Sequence, residues 1–149
     1  MENDKLKKFI KTTIREYLNE NVNNKIIGDK TTAILKSKKN SRLGIDYYYD
    51  VYDDVDNVIG YIEITDRENG HKPIPYYQSG NVELHRKGVG YGTSLYISLI
   101  KSLEKPLVSD PGLSDEAKGL WGKLVNMGYA TKWIDDMSRE RFISIKKRG

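Results

Sequence analysis

Three glycines at alternate positions, Gly88, Gly90 and Gly92, stand where one sequence periodicity ends and another begins. Ahead of them, Val82 and Leu84 alternate with Glu83 and His85, which is the period of a strand over 81–85. Behind them, Leu95, Leu99, Ile100 and Leu103 fall on one stripe, which is the period of a helix over 91–103. A strand that passes through glycines directly into a helix belongs to an α/β chain. The same junction has a chemistry. Glycines let the backbone come close to a ligand. The unpaired N–H groups of a first helical turn, with the dipole behind them, favour an anion. Arg86 and Lys87 add positive charge beside the turn. The segment therefore predicts a pyrophosphate cradle made by Leu84, Arg86, Lys87, Gly88, Val89, Gly90, Tyr91 and Gly92, with the hydroxyls of Thr93 and Ser94 as auxiliary donors.

The chain around this junction reads as two halves. Leu6, Phe9, Ile10, Ile14, Tyr17 and Leu18 recur at helical spacing, so an amphipathic helix is expected over about 4–20, followed by a polar linker to residue 24. That helix either packs on the domain or docks on a partner. From 25 to 149 one domain is expected. Strands are predicted over 31–35, 45–52 and 58–65, with a basic turn region over 36–44 and a tight polar connection over 53–57. Tyr47, Tyr48, Tyr49 and Tyr52 would line a half-buried sheet, or form an acceptor pocket. Pro73 and Pro75 mark 66–79 as a longer loop. After the helix, a short buried strand is expected over 106–109 and a second helix over 114–127. Ser114 is its N-cap, Asp115 and Glu116 lie in its first turn, and Gly128 stops it. A hairpin of 129–134 and 141–145 closes the chain. A meander feeding a strand–helix–strand unit predicts a mixed, mostly antiparallel twisted sheet with helices on its faces.

Composition narrows the chemistry. The chain has no cysteine and only two histidines, His71 and His85, so disulfides, thiol nucleophiles and a metal centre are not expected. No apolar run approaches the roughly 20 residues that span a bilayer, and the start lacks a signal-peptide core, so no membrane role is expected and the cytoplasm is the default location. The net charge of +4 suits a phosphate-rich small molecule or a solvated surface. Nucleic acid is not expected as a partner, because no recognition motif accompanies the charge.

Among phosphate-binding patterns, the P-loop is absent, and the glycine spacing is wrong for a dinucleotide fold even though Asp110 lies at a suitable distance. The segment instead resembles motif A of the GNAT N-acetyltransferases, Arg/Gln-x-x-Gly-x-Gly/Ala. In one register Lys87 takes the first place with Gly90 and Gly92; in the other His85 takes it with Gly88 and Gly90. Leu95 favours the first. Downstream, Ser114-x-x-Ala117-x-x-Leu120-Trp121-x-x-Leu124-x-x-x-Gly128-Tyr129 resembles motif B of the same family, with Ser114 for the usual Asn and Trp121 for the Tyr that often protonates the leaving thiolate. The two motifs span about 80–130.

The resemblance implies a GNAT-like fold that binds acetyl-CoA as co-substrate, without a metal. It implies transfer of an acetyl group to the amine of a small molecule or peptide. The strand 81–85 would part from the strand 106–109 to admit the pantetheine arm, and Glu83, with His85 second, would be the general base that takes the amine proton. The alternative is a catalytically weak or inactive GNAT-fold binding or structural module, docked on a protein partner through its N-terminal helix.

Overall fold

The computed structural model describes residues 24–42, 44–67, 75–86 and 88–145. Eight strands form one sheet: β1 (Lys25–Ile27), β2 (Thr32–Ser41), β3 (Gly44–Tyr52), β4 (Val58–Asp66), β5 (Tyr77–Leu84), β6 (Leu107–Val108), β7 (Ala130–Ile134) and β8 (Glu140–Ser144). Two helices join them, α1 (Tyr91–Ser102) between β5 and β6 and α2 (Asp115–Asn126) between β6 and β7. The spatial order is β1-β2-β3-β4-β5-β6-β8-β7, antiparallel throughout except where β5 and β6 run parallel. This is a mixed α/β architecture. The helix expected over 4–20 lies outside the described residues.

The β3–β4 and β7–β8 hairpins are closed by the same device. Asp53 accepts the N–H groups of Val55 and Asn57 at 3.0 and 2.9 Å, and Asp135 accepts those of Met137 and Arg139 at the same two distances. An aspartate carboxylate at the first turn position substitutes for the missing strand partner. In each turn the residue three places on, Asp56 or Ser138, has positive φ.

The core is one contiguous cluster. Tyr47, Tyr49 and Val51 of β3 alternate into it, with Ile62 and Ile64 of β4, Leu95 and Leu99 of α1, and Trp121 and Leu124 of α2. The helices meet through Tyr96 and Trp121, edge to face at 5.5 Å, and Trp121 stacks on Phe142 of β8 at 5.9 Å.

Three boundaries differ from the sequence reading. The basic stretch 36–41 continues β2 as strand and pairs as far as Ser41 with Gly44. Its residues from Lys36 onward are all exposed, so neither face demands apolar side chains and the alternation that marks a strand is missing. The loop expected to run to residue 79 ends earlier, because β5 begins at Tyr77 and Pro75 precedes it. The three residues of β1 carried too little pattern to be read.

Candidate functional site

β5 and β6 touch only at Tyr77 with Leu107 and Gln78 with Val108. β5 then runs on to Leu84 with no strand on that side, while the chain leaving β6 turns toward α2. Gly80 and Asn81 together oppose Glu63, a bulge in β5 just past the parting. Beyond it, a cavity of about 590 Å³ lies between the end of β5, the first turn of α1 and the start of α2. That volume is within the range of small-molecule sites. The carboxyl end of β5 and the N-termini of both helices thus converge on one opening.

Local sequence builds this mouth. Gly88 and Gly90 have φ of 80° and 83°, in the left-handed region that side chains disfavour. A Cβ on Gly88 would meet nothing within 4 Å, so this glycine is required by conformation and not by crowding. Gly90 is the N-cap of α1, without a side-chain cap and without an acid in the first turn. The helix therefore presents open N–H groups. Gly92 differs: it has ordinary helical geometry, and its Cβ would stand in normal contact with Leu84 and Leu120.

Of the residues expected in the cradle, Leu84, Arg86, Gly88, Gly90, Tyr91, Gly92 and Thr93 line the cavity together. Val89 and Ser94 do not. The Ser94 hydroxyl faces the β1–β2 turn, where it accepts the Lys30 backbone N–H at 2.9 Å. Lys87 lies outside the described residues. Glu83 and His85, the expected bases, also line the cavity, and Glu83 pairs across the ladder with Tyr61. Both are exposed. Arg86 is exposed beside Asp53, whose carboxyl sits below its usual range chiefly through the Asn57 N–H, with the guanidinium adding to the effect.

Two features of the site were not read from the sequence. The Lys30 ammonium donates to the Val89 carbonyl at 3.0 Å, which sets a cation on the glycine turn from a segment 59 residues earlier. Tyr96, beside the Leu95–Leu99 stripe but not itself singled out in the sequence, lines the cavity while 3% exposed. Burial pushes its phenol up, and a hydrogen bond with the Ser79 hydroxyl pulls the other way. Glu116 and Lys123 of α2 complete the lining with charges of both signs.

Among the described residues no three His, Cys, Asp or Glu side chains are grouped to hold a metal ion, and no helix is long and apolar enough to cross a membrane. No family model and no curated protein matches the chain. Among solved structures, the chain is similar to a protein of unknown function from Aquifex aeolicus VF5, at 13% identity and a TM-score of 0.44, over 90% of this chain and 78% of that one.

Proposed function

We propose that the chain is a GNAT-like acyl-CoA-binding domain that transfers an acetyl group from acetyl-CoA to an amine. The observation that carries the reading is the parting of β5 from β6 after two paired residues, beside an α1 whose first turn is open and flanked by glycines of positive φ. A cleft of this shape accepts an extended arm between two strands and its pyrophosphate on the helix N-terminus. The residues present suit such a group: the Gly88 backbone is unobstructed, Arg86 stands at the mouth, and no carboxylate occupies the first turn of α1.

Of Gly88, Gly90 and Gly92, only the first two need to be glycine for conformational reasons, which supports the register that begins at His85. In the reaction the amine nitrogen bonds to the thioester carbon, the carbon–sulfur bond breaks, and one proton passes from nitrogen to sulfur. Alignment of the two reactants supplies most of the acceleration. Glu83 is the proposed acceptor of the amine proton, with His85 second.

One observation favours the alternative, a GNAT-fold binding or structural module. The family's tyrosine falls on Trp121 when counted from Leu120 and on Leu124 when counted back from Gly128. These side chains are 1% and 0% exposed in the core, and neither lines the cavity. α2 thus brings no phenol to the site. Calorimetry with acetyl-CoA, then an amine screen read by free thiol, separates the readings. Micromolar to sub-millimolar binding with thiol release supports the enzyme, and binding without release supports the module. No binding at millimolar acetyl-CoA refutes the acyl-CoA reading.

A further inference from the structure

We infer that the phenol of Tyr96, on α1, is the group that delivers a proton to the leaving sulfur of the thioester; the inference rests on the acyl-CoA reading above. The cavity has a charged mouth, with Arg86 and the first turn of α1, and a buried inner part reached by Tyr96. Tyr96 stands one helical turn inward from Gly92 and Thr93 on the same face of α1, and helical side chains lean back toward the N-terminus. An arm anchored by phosphate on the first turn would therefore extend past this phenol. Its hydrogen-bond partner, Ser79, is the β5 residue next after the last one paired with β6, so the pair sits where the cleft opens. The ring is held edge to face on the buried Trp121 of α2.

The hydrogen bond leaves the chemistry available. In the arrangement the step requires, the Ser79 hydroxyl donates to the phenol oxygen, which leaves the phenol's own hydrogen to pass to the sulfur. As the amine nitrogen bonds to carbon and the carbon–sulfur bond breaks, the sulfur keeps the bonding pair and takes the Tyr96 proton, giving the CoA thiol. The proton shed by the amine, to Glu83 or to water, returns through solvent to the phenolate. A thiol near pKa ~8.5 and a phenol near ~10 are both raised by burial, so their acidities stay close enough for transfer.

The test needs no acceptor. Coenzyme A labelled with carbon-13 beside the sulfur is titrated with pH while bound to the full chain, and its resonance reports the thiol pKa. Tyr96→Phe, a nearly volume-conserving change, is expected to keep coenzyme A affinity within about twofold and to raise the bound thiol pKa by about one to two units, the size of one hydrogen bond to a charged group. Ser79→Ala keeps the phenol but frees it to turn, and is expected to raise the same pKa by less; this arm decides the matter should Tyr96→Phe not fold. An unchanged thiol pKa in a variant that still binds coenzyme A overturns the role of Tyr96 and leaves the acyl-CoA reading standing. Failure of the unmodified chain to bind coenzyme A overturns both.

Discussion

Alanine placed in turn at Gly88, Gly90 and Gly92 separates glycines needed for backbone shape from one that merely occurs in the run. At Gly88 the φ of 80° puts an alanine in the left-handed region, at a cost of roughly 1–2 kcal/mol, and the open space around it adds no clash. At Gly90 the φ of 83° costs about the same, and the new methyl meets only the Lys30 Nζ at 3.2 Å, the flexible end of a side chain that can swing away. At Gly92 the backbone is helical and the nearest atoms stand at 3.7 Å or more. Alanine there removes unfolded-state freedom and should stabilise by up to about 1 kcal/mol. The spread between Gly88→Ala and Gly92→Ala is then about 1–3 kcal/mol. With a urea slope of roughly 2 kcal/mol/M, the two midpoints should differ by about 0.5–1.5 M, in opposite directions from the unmodified chain. Equal destabilisation by Gly88→Ala and Gly92→Ala would refute the assignment of backbone need. It would also return the motif register to the one that starts at Lys87.

Gly60→Ala should destabilise by about 3 kcal/mol or more in the same denaturation assay, because its Cβ would lie 1.9 Å from the Glu83 carbonyl oxygen, a backbone atom that moves only with β5. Asp135→Ala should lose about 3 kcal/mol, since it strips the buried Arg141 guanidinium of its carboxylate. Burial acts to raise the Asp135 pKa, but bonds from Arg139, Arg141 and Met137 outweigh it and leave the carboxyl below its ordinary value. Its contribution is therefore present above about pH 4 and lost as pH falls below it, and Asp135→Asn should flatten that part of the stability–pH curve. Once an acceptor amine is found, Glu83→Gln should lower turnover about 10²-fold at neutral pH with acetyl-CoA affinity little changed, and the defect should shrink at high pH where the amine is already neutral; equal turnover at every pH would remove Glu83 from the mechanism.

Local chemistry was legible in the sequence and distant contact was not. Both helices, the terminal hairpin and the β3–β4 turn follow from short-range signals: Ser114 as N-cap, Gly128 with φ of 83° as the stop, and Asp53 and Asp135 as turn residues. The glycine turn was legible because positive φ leaves a mark in residue type. The second half of β2 was not, since a strand wet on both faces has no period to show. In the site, the residues contributed by β5 and the first turn of α1 were found because they are consecutive. Lys30 reaches the glycine turn across 59 residues of chain and Ser79 reaches α1 across 17, and nothing in their own neighbourhoods marks them. Tyr96 was hidden for another reason: a buried phenol and a core aromatic give the same apolar stripe.

The narrow junction between β5 and β6 also bears on how the molecule breathes. Two residue pairs join the five-strand meander to the β6-β8-β7 group, against nine in the β2–β3 ladder. Arg141 spans that seam: its guanidinium holds the Ser109 carbonyl at 2.7 and 2.8 Å, Gln78 at 2.9 Å and Asp135 at 3.3 Å. One side chain thus rivets two blocks of the sheet that the ladder barely joins. Sub-global opening should follow this line, so that amides of β7 and β8 exchange with solvent as one group, separately from those of β2, β3 and β4.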